Sequence, residues 1–403
     1  MFVSQEPVVD LKKASIPLIE SWKDEFREIR QDFHRNPEIG LDTPRTSGKI
    51  AGFLRSYGVD EVHENIGGCG VVGVVYGSSK EGPSLGVRAD IDALPMKEMS
   101  DHDHVSCLGN RMHGCGHDGH GTTLLAVAKY FAQTRNFAGK AVLIFQPGEE
   151  GWSGAKVMMD DGLFERFPVQ EIYAYHTASA LRPGELALNY GAMQAAADAF
   201  TLTITGKGGH GSRPENCNDP IVAAAYIITA LQTLVSRNVS PLDSAVVSCG
   251  SIHSGDPLAQ SVIPNSCQIV GTTRTFKPET RDLIEKRLKE VAESTAAAFG
   301  CTAVLDYDRK YPPLINSEEQ AKAIADVGAE LVGEENVKRN YPRATGGEDF
   351  AFMAGAVPGA YIRVGQGGAP AHNGYFDFND EIIPLAATLL VKTLEKRFND
   401  LAG

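Results

Sequence analysis

Residues 113–120 of this chain read HGCGHDGH, and the apolar spacing of the residues that follow, 121–134, predicts a helix. Apolar runs at 84–89 and 141–145 lie before and after this segment and predict two strands. Strands that alternate with helices are typical of an α/β fold with a mixed, mostly parallel sheet. Such sheets place their functional sites at the carboxyl ends of the strands, so HGCGHDGH marks a candidate site as well as a fold.

The α/β pattern extends from this segment towards both ends of the chain. Apolar runs at 71–76 and 171–175 predict two further strands. Near the N-terminus, the apolar spacing of residues 18–35 predicts an amphipathic helix, which should end before Pro37. The elements predicted after residue 306 are a helix at 318–331, a strand at 360–364 and a helix at 382–398.

The middle of the chain has a different pattern, β-α-β-β-α-β, which is typical of the ferredoxin-like α+β arrangement. We therefore predict two domains, one formed by residues 1–188 and 306–403 and the other by an insertion of residues 189–305. A chain of 403 residues is also longer than one compact core usually accommodates. The elements predicted in the insertion are strands at 200–205, 244–252, 267–275 and 302–308, with helices at 219–237 and 279–299.

The composition is typical of a globular protein, for which a cytoplasmic location is the expectation. A net charge of −13 disfavours nucleic acid and anionic membrane as partners. No apolar run is long enough to span a bilayer, and the first residues lack the apolar core of a signal peptide. The seven cysteines are odd in number and include no Cys-x-x-Cys pair, so we expect reduced thiols rather than disulfide bonds.

Cys115 and His117 are the first candidate metal ligands. A thiolate and an imidazole hold borderline divalent metals, and the glycines beside them allow the backbone to bend. One residue separates the two side chains, so they cannot share one face of a helix and should lie at the start of the helix predicted at 121–134. The alternative is a helix N-terminus whose histidines only cap the helix or face solvent.

Glu149 and Glu150 follow the strand predicted at 141–145. Because side chains alternate along an extended chain, we expect the two carboxylates to point in different directions. One would then bind a metal while the other faces the substrate as a base, and two such close charges raise one pKa unless a cation compensates. The alternative is a solvated acidic loop.

Four further side chains follow predicted strands or lie in loops near them. His176 comes after the strand at 171–175, and His372 lies in a loop, which brings the candidate ligands to the number that a two-metal site needs. Asp90 and Asp92 follow the strand at 84–89 and could orient ligand imidazoles. Asp92 could equally cap the turn before Pro95, and each histidine alone could be structural.

A glycine-rich loop in the insertion, residues 206–214, carries His210. A histidine on such a loop is unlike a packed core residue, and it could reach over the metal site to donate a hydrogen bond to a developing oxyanion. The alternative is a plain surface turn.

These motifs, in this order, resemble the co-catalytic-metal aminoacylase and carboxypeptidase family. Within that family the chain is similar to the branch of hippurate hydrolases and indole-acetyl-amino-acid amidohydrolases. The resemblance covers nearly the whole chain. The segments that carry it are residues 33–38, 87–95, 113–120, 145–150, 208–214, 347–350 and 371–373.

The resemblance implies a metal-binding catalytic domain and an inserted lid that also forms a homodimer or homotetramer. It implies that Glu149 is the general base and acid, and that His210 contacts the transition state, in its own or in the partner subunit's site. Asp90 would support the ligands from behind. The implied metal ligands are Cys115, His117, Glu150, His176 and His372.

The chain departs from the family pattern where substrate recognition is concerned. Ser261 stands where the family usually has an asparagine that helps to hold the substrate carboxylate, while Arg274 remains as the expected carboxylate anchor. Residues 177–180 also replace a more apolar, proline-bearing segment. Both changes leave the expected metal chemistry intact.

The resulting prediction is a metal-dependent amidohydrolase that splits an N-acyl or N-aroyl amino acid into a carboxylic acid and an amino acid. Each subunit would hold two divalent ions, zinc or manganese, with cobalt as a further fit to the same donors. Three alternatives stay open: hydrolysis of another C–N bond, in a dipeptide or aryl amine; a metal-binding family member without catalysis; and a structural dimer with metals as staples.

Overall fold

The computed structural model describes residues 2–402, and the chain divides into two compact units. The first unit contains the described residues up to Met193, the segment Ile315–Pro342 and the residues from Asp349 onward. The second unit contains Gln194–Leu314 and Arg343–Glu348. It begins five residues later and ends nine residues later than the insertion predicted at 189–305, and it also takes in a short segment from beyond that insertion.

Sixteen strands are formed by the described residues. In chain order they are β1 Glu61–Ile66, β2 Gly70–Tyr76, β3 Ser79–Asp90, β4 Ala138–Gln146, β5 Glu171–Ala178, β6 Leu186–Ala187, β7 Gly191–Gln194, β8 Ala196–Thr205, β9 Gly209–His210, β10 Ala245–Ser254, β11 Val262–Ile263, β12 Ser266–Thr275, β13 Thr302–Tyr311, β14 Leu314–Asn316, β15 Val337–Lys338 and β16 Gly359–Gly365.

Eleven α-helices accompany them among residues 2–402, with short 3-10 turns at Pro214–Asn216, Glu334–Asn336 and Asp380–Ile382 and a π turn at Leu234–Asn238. The helices are α1 Pro17–Glu20, α2 Lys23–Arg35, α3 Pro44–Tyr57, α4 His117–Thr134, α5 Gly154–Asp160, α6 Leu163–Arg166, α7 Pro220–Thr233, α8 Pro278–Ala298, α9 Glu318–Val332, α10 Phe350–Ala356 and α11 Ile383–Ala402.

The single helix predicted at 18–35 is wrong, because the structure divides it into α1 and α2. The break lies at Trp22, whose φ of −98° and ψ of 4° are not helical. The Trp22 ring packs edge-on against Phe26 and beneath the Lys129 ammonium, 4.6 Å from the ring centre. Tertiary packing of one large side chain thus overrides the local apolar spacing.

The first unit is built on an eight-stranded sheet with the order β1-β2-β4-β3-β5-β16-β6-β15. The central strands β4, β3, β5 and β16 are parallel neighbours, and β6 and β15 also pair in parallel. The antiparallel pairs are β1 with β2, β2 with β4, and β6 with β16. This confirms the predicted mixed, mostly parallel sheet. The carboxyl ends of β3, β4 and β5 therefore lie side by side at one edge of the sheet.

Helix α4 is the central helix of this unit. It packs on β3 and β2, and α2, α3 and α11 pack on it in turn. Because neighbours surround it, α4 is apolar on nearly every side, and Leu124, Leu125 and Val127 are fully buried. Each such side chain contributes about 1.5–3 kcal/mol by burial, so the start of α4 is held firmly in place.

The second unit has the predicted β-α-β-β-α-β order, with its four main strands in the antiparallel order β10-β12-β8-β13. Helices α7 and α8 cover the face that carries Phe200, Leu202 and Ile204. The expectation that no stretch is long and apolar enough to span a bilayer is wrong for Pro220–Asn238, made of α7 and the turn after it, since by length and composition alone this segment could do so. Its buried residues Ala223, Ala224, Ile227 and Leu231 pack in the core of this unit, as in core helices of globular domains.

Candidate metal centre

Three of the candidate residues are positioned directly by the sheet and by α4. Asp90 is the last residue of β3, and His117 is the first residue of α4. His176 lies inside β5, not after it as predicted, because β5 continues to Ala178. Since β3 and β5 are parallel neighbours, these side chains approach one another at the same edge of the sheet.

Gly116 allows the turn between Cys115 and His117 to approach β5 closely. Its φ is 92°, in the left-handed region, and a Cβ atom there would lie 2.7 Å from the Thr177 side chain. The Cys115 Sγ atom consequently reaches to 3.4 Å from His176 Nε2. The predicted position of Cys115 and His117 at a helix start is therefore what the structure has.

The structure brings the five predicted ligands together. Ligand atoms of Cys115, Glu150 and His372 lie within 4.8 Å of one another. The same holds for His117, Glu149 and Glu150, so Glu150 belongs to both groups. We call this set the strand-end cluster; its members are Cys115, His117, Glu149, Glu150, His176 and His372.

His372 enters the cluster from a loop that is held in a strained conformation. Its φ is 62°, which is uncommon for a residue other than glycine. Its backbone N–H donates to the Gly114 carbonyl over 2.7 Å, and its Nε2 lies 3.1 Å from Glu150 Oε1. The loop is thus tied to the HGCGHDGH segment through its backbone and to Glu150 through its side chain.

His176 is oriented as a ligand by its other ring nitrogen. Nδ1–H donates to the Thr177 carbonyl over 2.7 Å, which leaves the lone pair on Nε2 facing Cys115. Burial, together with nearby His120, holds the pKa of His176 well below its usual value. A neutral imidazole of fixed tautomer is the form that binds a metal.

The surroundings of His117 and Cys115 show whether these side chains suit a bound metal ion. Both ring nitrogens of His117 are buried, and neither forms a hydrogen bond within residues 2–402, although Asp92 and Asp90 oxygens lie 3.4 and 3.8 Å away. Burial raises the pKa of the Cys115 thiol to about 12. A divalent ion would satisfy the imidazole and stabilise the thiolate, so these donors fit a metal.

Asp92 shapes the turn that carries Glu149 and Glu150. Its Oδ1 and Oδ2 accept the backbone N–H groups of Glu149 and Glu150 over 2.9 and 3.2 Å. The expectation that the two carboxylates diverge is wrong, since both residues lie in a turn beyond β4 and each places an oxygen near His117. The alternation rule applies only to extended backbone.

A buried polar network centred on Asp90 lies next to His117 of the cluster. Asp90 accepts from His120 Nδ1 over 2.6 Å and from Arg88 over 2.8 Å. Arg88 also donates to Gln146 and to Asp349, both over 2.7 Å. Hydrogen bonds and nearby cations outweigh burial and hold the pKa of Asp90 well below its usual value, so it stays charged.

His120 is a residue that the sequence analysis missed. Its Nδ1 contacts Asp90, and its Nε2 accepts the Thr177 backbone N–H over 3.0 Å. Both nitrogens are thus occupied, so His120 orients Asp90 and the end of β5. Its spacing from His117, three residues along a helix, was the available signal, because such residues lie on one face.

The substrate residues expected from the resemblance lie in the second unit. His210 is exposed on β9 and pairs in register with Val262 of β11, next to Ser261. The Gly211 N–H donates to the Ser261 carbonyl over 2.7 Å, so His210 and Ser261 are neighbours. Arg274 lies eight residues along β12 from Ser266, which corresponds to about 26 Å of extended strand.

The chain is similar to known proteins over most of its length. The model of "Peptidase family M20/M25/M40" matches residues 86–396. The chain is 39% identical to hippurate hydrolase of Campylobacter jejuni, over 94% of this chain and 97% of that protein. It is 36% identical to IAA-amino acid hydrolase ILR1-like 2 of Arabidopsis thaliana, over 94% and 86%. A dinuclear metal-binding peptidase of the M20 family from Bacillus subtilis superposes with a TM-score of 0.83 at 28% identity, covering 94% and 99%.

Proposed function

The chain belongs to peptidase family M20/M25/M40 and is an amidohydrolase, and we propose that it uses metal ions to cleave the amide bond of N-acyl or N-aroyl amino acids. The observation that carries this proposal is the strand-end cluster. It gathers one thiol, three imidazoles and two carboxylates at the edge of the sheet where such folds place their sites.

Two divalent ions per subunit are part of the proposal. Cys115, His117, Glu150, His176 and His372 would hold them, and the mixture of sulfur, nitrogen and oxygen donors suits zinc, with manganese or cobalt as further fits. When bound, the ions supply Lewis-acid activation of water and of the amide carbonyl. Support for two ions comes from the number of donors and from the dinuclear Bacillus subtilis structure.

Glu149 moves the proton in the proposed reaction. Its carboxylate accepts a proton from the attacking water and then returns it to the leaving nitrogen, so that one residue acts as base and as acid. Glu149 is nearly buried, and Asp92 fixes its backbone through the N–H group. The Glu149 side chain is thereby positioned beside His117.

Substrate contacts are proposed to come from two copies of the chain. His210 would donate to the oxyanion, Ser261 would lie beside it, and Arg274 would pair with the substrate carboxylate. His210 and Ser261 lie before the first residue of β12, whereas Arg274 lies near its last residue. A single amino acid cannot span about 26 Å of strand, so we propose a dimer in which these contacts for one site are divided between subunits.

The substrate class follows from the relatives. Hippurate is N-benzoylglycine, and IAA-amino acids are likewise N-acyl amino acids, so the amide of an N-acyl amino acid is the shared bond. Ser261 favours one alternative, the hydrolysis of a different C–N bond, since it shortens a side chain expected at the carboxylate. A cytoplasmic location remains part of the proposal.

Amine release from a panel of N-benzoyl, N-indoleacetyl and N-acetyl amino acids, dipeptides and aryl amides tests this function. Apo protein and protein loaded with zinc or manganese are compared. Metal-dependent release from one N-acyl series is the expected result, and it identifies the acyl group. Release only from dipeptides or aryl amides supports the alternative. No amine release from any compound of the panel, with two metals bound, contradicts the proposal.

A further inference from the structure

We propose that this chain has an additional metal-binding site, for zinc or a similar divalent ion, formed by Glu98, His102, His104 and Asp377. These four residues are named the loop cluster. The site uses none of the residues assigned to amide hydrolysis, so it does not depend on the proposed function. It lies entirely within the first unit.

His102 belongs to two groups of ligand atoms, one with His104 and Asp377 and one with Glu98, and within each group the atoms lie within 4.8 Å of one another. The rings of His102 and His104 are stacked, with centroids 3.7 Å apart and planes inclined by 14°. Both Nε2 atoms face the Asp377 carboxylate, at 3.9 Å for His102 and 3.0 Å for His104. Glu98 approaches from another side, with its Oε1 3.1 Å from His102 Nε2.

These separations match those of zinc ligands. With metal–ligand bonds of about 2.0–2.2 Å in a tetrahedron, neighbouring ligand atoms stand about 3.3–3.6 Å apart. Three separations between Nε2 and carboxylate atoms, 3.0, 3.1 and 3.9 Å, bracket that value, and the shortest of them is also a hydrogen bond between His104 and Asp377. Two imidazoles and two carboxylates, with no thiolate, are donors that suit zinc and neighbouring divalent ions.

His102 gives a second, independent observation. Its ring nitrogens are both buried, and neither forms a hydrogen bond with any residue from 2 to 402. Nε2 nevertheless lies 3.1 Å from Glu98 Oε1, so the two atoms are close without being aligned as donor and acceptor. An unsatisfied buried nitrogen costs about 1–3 kcal/mol, and an ion between these atoms removes the cost at Nε2.

The surrounding charges leave room for a divalent cation. Arg30 bridges Asp377 and Asp380, with N–O distances of 2.8 and 2.6 Å. His34 bridges Glu98 and Asp118 through its two nitrogens and is cationic when both donate. Two cations against four carboxylates leave two negative charges uncompensated. The four carboxylates are Glu98, Asp118, Asp377 and Asp380.

The two chain segments that carry the loop cluster differ in rigidity. Asp377 lies between Phe376 and Phe378, which are both buried, so its backbone is fixed by packing. Glu98, His102 and His104 lie on residues 91–116, which contain bridges and turns but no helix or extended strand. An ion would therefore pin this loop to the rest of the unit, and the loop joins β3 to Cys115.

Counting zinc tests the proposal without relying on activity. Full-length protein is loaded with Zn²⁺, freed of excess ion and measured by elemental analysis, alongside the double variant His102→Gln/His104→Gln. The double variant should hold one zinc fewer per chain than the wild type. His63→Gln is the matched control, since His63 pairs with Glu61 on β1, and it should keep the full number. Equal zinc contents in wild type and double variant overturn the proposal.

Anomalous scattering at the zinc edge gives a test that needs no variant. Crystals of the wild-type protein soaked in Zn²⁺ should show a peak between His102 Nε2 and the Asp377 carboxylate, in addition to peaks at the strand-end cluster. Peaks at the strand-end cluster alone would mean that the loop cluster is a hydrogen-bonded group only, and the proposal would then be wrong.

Discussion

The strand-end cluster and the loop cluster are both made of histidines and carboxylates, yet their supports differ. The first is carried by the start of α4, the edge of β5, a turn after β4 and the loop of His372, which backbone hydrogen bonds and a buried core hold in place. The second is carried mostly by an irregular segment, residues 91–116. The strand-end cluster thus lies mostly on elements that the fold already holds rigid, whereas an ion in the loop cluster would itself make an irregular segment rigid.

The two clusters also differ in charge compensation. In the loop cluster, Arg30 and His34 already bridge carboxylates. In the strand-end cluster, His117 has no hydrogen bond in the described chain, and burial raises the pKa of Cys115 to about 12. A thiolate and three imidazoles are stronger zinc donors than two imidazoles and two carboxylates, so the strand-end cluster should bind its metal more tightly. The following experiments test that contrast.

The largest expected effect comes from Glu149→Gln. The variant removes a proton carrier but keeps the size of the side chain, so turnover should fall by about 10²–10⁴-fold with the metal content unchanged. Glu98→Gln is the matched substitution in the loop cluster and should affect turnover far less. Steady-state amine release and elemental analysis measure both quantities. An active Glu149→Gln enzyme would remove Glu149 from the mechanism.

A pH-dependent effect is expected at His34, which lies between the two clusters. Burial disfavours its charged form, but the hydrogen bonds that His34 donates to Asp118 and Glu98 prevail and raise its pKa to about 9. The unfolded value is about 6.5, so the stabilisation is complete below that pH and is lost as the pH rises through 9. The apo protein should lose about 3 kcal/mol of unfolding free energy in this window.

His34→Gln should remove this pH dependence of the unfolding free energy. Urea unfolding of the apo proteins at pH 6, 7.5 and 9 measures it. His63→Gln is the control, because His63 lies on β1 away from both clusters. Parallel pH profiles for wild type and His34→Gln would show that His34 is neutral in the folded chain and would remove one of the two cations assigned to the loop cluster.

A smaller effect is expected from Asp90→Asn. Asp90 touches no proposed substrate but holds His120 and Arg88 and faces His117. Loss of such a supporting carboxylate typically weakens metal binding by about 10–100-fold. Zinc affinity is measured by competition with a chelator, with the exposed Asp101→Asn as control. An unchanged affinity would mean that the network only maintains the fold.

The smallest effect is expected from Ser261→Asn, which should leave both clusters alone. A restored carboxamide adds about one hydrogen bond to the substrate, worth about 0.5–1.5 kcal/mol, so KM should fall by about 2–10-fold. Exposed Ser240→Asn is the control. A change in metal content, rather than in KM, would place Ser261 in metal retention and contradict its assignment to the substrate.

The sequence predicted those parts of the site that secondary structure controls. The position of Cys115 and His117 could be predicted because a helix pattern follows them. The position of Glu149 and Glu150 could be predicted because an apolar strand precedes them. Asp90 lies at the predicted strand end for the same reason. Buried apolar runs locate the ends of helices and strands, so a linear pattern is sufficient to place the residues beside those ends.

The remaining parts depend on contacts between distant segments. His102 and His104 contact Asp377, which lies more than 270 residues further along the chain, and no local sequence pattern predicts that contact. The only signal was the His-x-His spacing itself. The break at Trp22 and the turn held by Asp92 likewise arise from tertiary packing and long-range hydrogen bonds, which override local propensity.

The most direct test is a metal titration of the apo protein, first with zinc and then with manganese, that follows bound metal together with hydrolysis of hippurate and the other N-acyl amino acids of the panel. We expect turnover to rise with the first two equivalents per chain, bound at the strand-end cluster, and a third zinc to add no further activity. Hydrolysis by the metal-free protein, or no hydrolysis of any N-acyl amino acid with two equivalents bound, would contradict this expectation.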